Sequence, residues 1–205
     1  MLGRVHQRGD TLIEVLFAFT VFSLVVVSAI SIMNQGTVAA QRALETTLVR
    51  SEIDAQATTL RFLHDAYVAK FQPGIAYDPA TPAGQWVAMV ATTRAQASSF
   101  AGAATCPGAP SGSFILNTAT AQFVGTNTKL QKATGIAKVT YDTASNGLID
   151  SQGIWIEAIR SVAVADVNKQ NTRYIDFHIL GCWDSPGHGA PMTLGTIVRL
   201  YEPRT

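Results

Sequence analysis

The feature that most constrains this chain is a run of 27 residues, Val15 through Gln41, that carries no charge at all. Within it, Val15 to Met33 is almost wholly apolar. At about 1.5 Å per residue these 19 positions span roughly 28 Å as a helix, close to the hydrocarbon thickness of a bilayer. Such a segment cannot be left in water. It needs lipid or a bundle of similar helices. The flanks give it a direction: Arg4 and Arg8 precede it, and the next basic residue is Arg42. The positive-inside tendency therefore puts the first nine residues in the cytoplasm and everything after about Gly36 outside.

The helical pattern does not stop where the apolar run ends. Val49, Ile53, Ala57, Leu60, Leu63, Tyr67 and Phe71 recur every three or four residues and draw one stripe on a helix. Arg50, Glu52, Asp54, Arg61, His64, Asp65 and Lys70 are assigned to its polar, solvated faces. No proline interrupts residues 10–72, and Pro73-Gly74 supplies the stop. The spacing predicts one helix of about 60 residues, whose first half is apolar all round and whose second half needs a sheet to lie on.

From Ile75 onward the texture is that of short strands between turn signals. Strands are expected at Trp86–Thr93, Phe114–Asn117, Ile136–Tyr141, Ile154–Val164, Tyr174–Cys182 and Gly195–Tyr201, with a turn at Asn146-Gly147. Alternation in "YIDFHIL" and "TIVRLY" suits an antiparallel sheet covered on one face. The charge-free stretch between Ala95 and Thr128 reads as a loop-rich insertion. The expected fold class is α+β: a long N-terminal helix packed on a C-terminal antiparallel sheet. The two cysteines, Cys106 and Cys182, lie on the side placed outside, where an even pair points to a disulfide. Closing a loop of about 77 residues contributes on the order of 4 kcal/mol in the chain-entropy model.

Several chemistries find no support. There is no GxxxxGK[ST] phosphate loop, no CxxC, and the four histidines are scattered, so no cofactor and no metal are expected. The stretch from Asp184 to His188 contains Ser, His and Asp but lacks a GxSxG-type context and reads as a loop. Trp86, Trp155 and Trp183 are expected as packing residues. With 15 basic and 14 acidic residues the chain lacks the basic footprint of a nucleic-acid binder, so DNA is not expected to bind directly.

One residue stands out against this background. In "RGDTLIEVLFAF" the carboxylate of Glu14 sits at the lip of the apolar run. A carboxylate at the centre of a bilayer costs roughly 2.5–3.5 kcal/mol, and less near a helix end, so the acid asks for a partner. Cleavage after Gly9 would create an α-amino group at Asp10, one turn before Glu14, and a neighbouring copy shifted by about one turn would present that amine to it. These residues resemble the processing motif of type IV prepilins and related pseudopilins. Gly9 matches the glycine that ends a short basic leader, Thr11, Leu12 and Ile13 match the usual residues, and Glu14 falls fifth when Asp10 is first. Asp10 itself stands where that family usually has phenylalanine, and the mid-helix proline of many major pilins is missing.

The resemblance implies a leader at 1–9, a transmembrane and filament-core half-helix at 10–36, an amphipathic half at 37–72 and an extracellular β-rich domain at 73–205. It implies cleavage and N-methylation at Gly9 and Asp10, and assembly through Thr11, Leu12, Ile13 and Glu14. The expected role is structural, not enzymatic: a type IV pilus subunit, held in the membrane with its C-terminal domain outside, and on the cell surface after assembly for adhesion, twitching motility or DNA uptake. Its expected partners are other pilin subunits, a prepilin peptidase, and an assembly platform with its ATPase motor. A pseudopilin of a type II secretion system is the alternative within the family. A membrane-anchored extracellular binding domain or enzyme is the alternative from another class.

Overall fold

The computed structural model describes residues 10–94, 96–98, 105–125, 127–160, 173–185 and 189–203. Helix α1 runs from Asp10 to Ala69 without a break. After Ala69 the chain tightens: Lys70 N–H donates to Tyr67 O and Phe71 N–H to Val68 O, the three-residue spacing common at helix ends. Gly74, at φ +78°, then turns the chain away in the left-handed region that favours glycine.

Two compact units divide the chain, residues 1–43 and 44–205. In the second, the expected stripe on α1 is the seam of the core: Val49, Ile53, Ala57, Leu60 and Leu63 are buried. They belong to one cluster with Ile154, Ile156 and Ala158, with Ile175, Phe177 and Ile179, and with Val198. Those residues come from β6 (Ile154–Arg160), β7 (Tyr174–Trp183) and β8 (Met192–Tyr201), an antiparallel sheet in the order β6-β7-β8. The fold is α+β with a long N-terminal helix, as the periodicity predicts. Gly181 lets the helix come close: a Cβ there would sit 3.1 Å from Val49 Cγ1.

The remaining elements depart from expectation in instructive places. Residues 82–90 form a second helix, α2 (Pro82–Val90), where the sequence suggested a strand over Trp86–Thr93. The apolar run "WVAMV" fits either reading. Local chemistry decides it: Pro82 opens the helix, the Thr81 side chain accepts the Gly84 N–H, and Trp86 and Met89 turn inward three residues apart. The stretch read as a loop-rich insertion contains a hairpin, β1 (Ile115–Asn117) with β2 (Gln122–Val124). A second small sheet holds β3 (Leu130–Gln131), β4 (Lys138–Tyr141) and β5 (Leu148–Gln152), in the order β3-β5-β4. Its β3–β5 pairing is parallel, so the β architecture is mixed and not antiparallel throughout. The Asn146-Gly147 turn joins β4 to β5, with Asn146 at φ +53°. The expected strand at Ile154–Val164 reaches Arg160, and residues 161–164 lie outside the described residues. β8 starts at Met192, three residues before its expected first position.

One contact ties α1 to the hairpin. Gln56, fully buried in the helix stripe, donates from Nε2 to Leu116 O at 2.8 Å and accepts the Leu116 N–H on Oε1 at 3.0 Å. A single amide thus satisfies both main-chain groups of Leu116, as a neighbouring strand would. Gln56→Ala is expected to orphan these two buried groups and lower stability by about 1–3 kcal/mol, read as a shift in the urea midpoint of the detergent-solubilised chain.

Candidate functional site

The first candidate is the N-terminal half of α1. Its most apolar 18-residue window has a mean hydropathy of 2.6, and none of that window is buried. It is the one helix among the described residues long and apolar enough to cross a membrane. Leu12 and Ile13 are 65% and 70% exposed, and Phe17, Phe19, Phe22, Leu24, Val27, Ile32 and Met33 are similarly open. Glu14 is exposed among them. Asp10 opens the helix, while the side chains of Asp10 and Thr11, and all of Gly9, lie outside the described residues.

Three hydroxyls of this segment are already satisfied. Thr20 Oγ1 donates to Phe17 O at 2.7 Å, Ser23 Oγ to Phe19 O at 2.8 Å, and Ser28 Oγ to Leu24 O at 2.7 Å. Each of these three side chains hides its proton on a carbonyl one turn back, which suits a medium without water. Around these three positions the segment presents a largely apolar surface.

On the C-terminal unit the outer face of the β6–β8 sheet is partly roofed at Arg94, Ser98 and Cys106, and two anchors hold this roof down. Cys106 and Cys182 are bonded, with Cα atoms 5.6 Å apart, and both pack against buried Trp155. Glu157, fully buried on β6, accepts from Arg94 Nη1 at 3.1 Å, from the Ser98 N–H at 3.0 Å and from Trp155 Nε1 at 3.3 Å. Three donors around one carboxylate are what a buried charge requires. Arg94 also continues the sheet at its edge: its N–H donates to Ala158 O and its carbonyl accepts the Arg160 N–H.

The far end of the sheet carries Arg199 on β8, which grips Asp176 of β7 through Nε and Nη2 at 2.7 and 2.8 Å and lies 4.0 Å from the Tyr174 ring centroid. The hydrogen bonds from Arg199 hold the Asp176 carboxyl below the ordinary carboxylate range. A depressed pKa in the folded state means the pair stabilises fully above the unfolded value of about 3.9 and less as pH falls through the folded value. Asp176→Asn is expected to flatten the acid limb of stability against pH below about 4, checked by urea midpoints measured from neutral pH downward.

Sequence reading assigned His64 to the solvated side of α1, but its side chain is only 14% exposed. Its Nε2 donates to Tyr201 O at 2.9 Å, and its ring meets Trp86 edge-on at 5.0 Å. The reason is position: the helix stripe is wide enough at this turn to take in its neighbour. Trp86, Trp155 and Trp183 are all buried, as packing residues should be, and Trp183 Nε1 also donates to Glu45 Oε2 at 3.1 Å. Of the Asp184–His188 stretch, Ser185 is buried and residues 186–188 lie outside the described residues. Among the described residues no three His, Cys, Asp or Glu side chains gather as a metal site would need. Gln56 and Glu157 were missed by sequence reasoning, though each had a signal: a polar residue in an otherwise apolar stripe, and an acid inside the strand "IWIEAIR".

Comparison of the chain with protein-family models, with curated proteins and with solved structures finds no match.

Proposed function

We propose that the chain is a filament subunit of the type IV pilin kind: a prepilin cut between Gly9 and Asp10, stored in the membrane through residues 10–36, and assembled through that half of α1. Residues 37–72 and 73–205 form the outer part of the subunit, and its role is structural. A prepilin peptidase, other pilin subunits, and an assembly platform with its ATPase motor are the partners this reading requires.

The observation that carries the reading is an apolar half-helix with none of its most apolar window buried and a lone carboxylate, Glu14, at its start. Exposed apolar area of this extent needs lipid or other chains to cover it. A pilin-type subunit uses both in turn, and the Gly9-to-Glu14 spacing supplies the cleavage site and the register. Removing residues 1–9 also deletes Arg4 and Arg8 and leaves 13 basic against 14 acidic residues. The cytoplasmic charges that resist extraction of the helix are thereby lost.

Mass spectrometry of the N-terminus tests this directly. The expected result is a chain starting at Asp10, with or without an added methyl group, and a Gly9→Ala variant that keeps its leader and makes no filaments. An intact Met1 in the wild-type chain would support an uncut anchor and sink the proposal. So would normal filaments from Gly9→Ala.

A further inference from the structure

Within the C-terminal unit the core takes up only one side of α1. Val49, Ile53, Gln56, Ala57, Leu60 and Leu63 are buried there. Along the opposite side run Leu44, Leu48, Ser51, Ala55, Thr58 and Phe62, spaced four, three, four, three and four residues apart. In heptad terms these six fill the two seam positions, and the six core residues fill the three positions farthest from the seam. Leu44, Leu48 and Phe62 are 61%, 50% and 52% exposed, and Ser51 and Thr58 are exposed with them. A helix lying on a core ordinarily turns its charges to the side away from it. Here that side carries none: Arg50, Glu52, Asp54 and Arg61 fall on the flanks between the two faces.

The spacing says what kind of surface covers the seam. An apolar repeat of about 3.5 residues is the period two helices keep when they pack lengthwise at about 20°. A sheet or an extended peptide would not ask for it. The middle of the seam, Ser51, Ala55 and Thr58, is small and lets two backbones come close, while Leu48 and Phe62 supply bulk on either side.

We infer that this seam pairs with the same seam of a second copy of the chain, parallel and level, about a two-fold axis running along the helices. The membrane selects a parallel partner: chains anchored by the same segment enter from the same side, and confinement to one plane raises their effective concentration. Charge selects the level register. The flanks then place Thr47 across from Glu52, Asp54 across from Thr59 and Arg61 across from Ala66, so no like charges face each other. Each core lies on the far side of its own helix and leaves the seam clear. A level pair is not the one-turn shift of the proposed assembly, so it is a storage form that parts before a subunit joins a filament. The pairing needs α1 in a membrane but not the cut after Gly9.

Cysteine cross-linking of the full chain in membranes tests it, since both native cysteines are held in the Cys106–Cys182 bond. Leu48→Cys and Phe62→Cys are each expected to give a disulfide-linked dimer on mild oxidation, about tenfold above Arg50→Cys, which is exposed on the same helix but off the seam. Chains carrying Leu48→Cys and Phe62→Cys, mixed, should not link to each other, because level copies keep these positions about 21 Å apart. Adding Ser51→Lys to Leu48→Cys should lower the dimer yield about tenfold and leave the near-ultraviolet circular dichroism unchanged. In the uncut Gly9→Ala chain the Leu48→Cys dimer should persist, which separates this pairing from the proposed processing. Equal yields from Arg50→Cys and Leu48→Cys would overturn the seam. A Leu48–Phe62 link would overturn the parallel direction, and a Leu44–Leu48 link stronger than the same-residue links would overturn the level register. No dimer from folded Leu48→Cys and Phe62→Cys chains would overturn the self-pairing.

Discussion

Glu14→Ala is expected to leave the chain inserted and trimmed to Asp10, yet absent from filaments. Between Asp10 and Arg42 this carboxylate is the only charge, and it lies on a half-helix with no apolar partner of its own. Removing it relieves the cost of holding an acid at the membrane boundary, so insertion should be as good as in the wild type or better. The cleavage site, four residues upstream at Asp10, is untouched. Under the proposed assembly, what disappears is the counter-charge for the new amine of the neighbouring subunit. An ammonium left unpaired in an apolar bundle costs about 3–5 kcal/mol, which corresponds to a loss of incorporation of roughly two to four orders of magnitude. Glu14→Asp keeps the charge but shortens its reach and should recover part of the assembly. Comparing membrane and filament fractions with an antibody to the C-terminal unit separates these outcomes. Normal incorporation of Glu14→Ala would break the link between the acid and the assembly register.

The second large effect belongs to the roof over β6. Arg94→Ala should destabilise the C-terminal unit by about 3 kcal/mol, because the fully buried Glu157 carboxylate would lose its only cationic partner among the described residues. The Ser98 N–H and the Trp155 indole remain, so the loss stays at the lower end of the range for broken buried pairs. Glu157→Gln in the Arg94→Ala background should recover more than half of the loss, since a neutral amide needs no counter-charge. Urea unfolding of the two variants measures this, and equal stabilities would show that the ion pair does not hold the roof. The Cys106–Cys182 bond should keep residues near 106 attached in both variants, so protease sensitivity should rise around residues 94–98 first.

How much of this could be read before any coordinates depended on which force set each element. The α1 stripe was legible because packing against a sheet imposes its own period: five of the seven positions from Val49 to Phe71 are buried, and Tyr67 and Phe71 are half-buried where the helix ends. The three long strands were legible for the same reason, through alternation. α2 was not, because five apolar residues in a row carry no period, and the cap at Thr81 outweighed the strand-like composition. The β1–β2 hairpin was half hidden by the small residues around it; Phe114–Asn117 was recognisable and Gln122–Val124 was not. β3 and β5 escaped because two- and five-residue strands held in a parallel pair depend on partners distant in sequence. For Gln56, Glu157 and His64 the partners lie 60 or more residues away, so a local pattern can flag the residue but not the contact. On the candidate site itself, the apolar half-helix was plain from composition, and the Gly9-to-Glu14 spacing rests on sequence alone.

The back-bonded hydroxyls of Thr20, Ser23 and Ser28 carry a consequence for where this helix can go. Because each has its acceptor inside its own turn, moving the segment from acyl chains into a protein-lined interior exchanges one greasy neighbour for another and breaks no polar contact. No water need follow the segment on that path. Under the proposed assembly, selectivity for the right neighbours then falls to side-chain shape and to Glu14, and the energetic difference between lipid and bundle can stay small enough to be crossed in either direction.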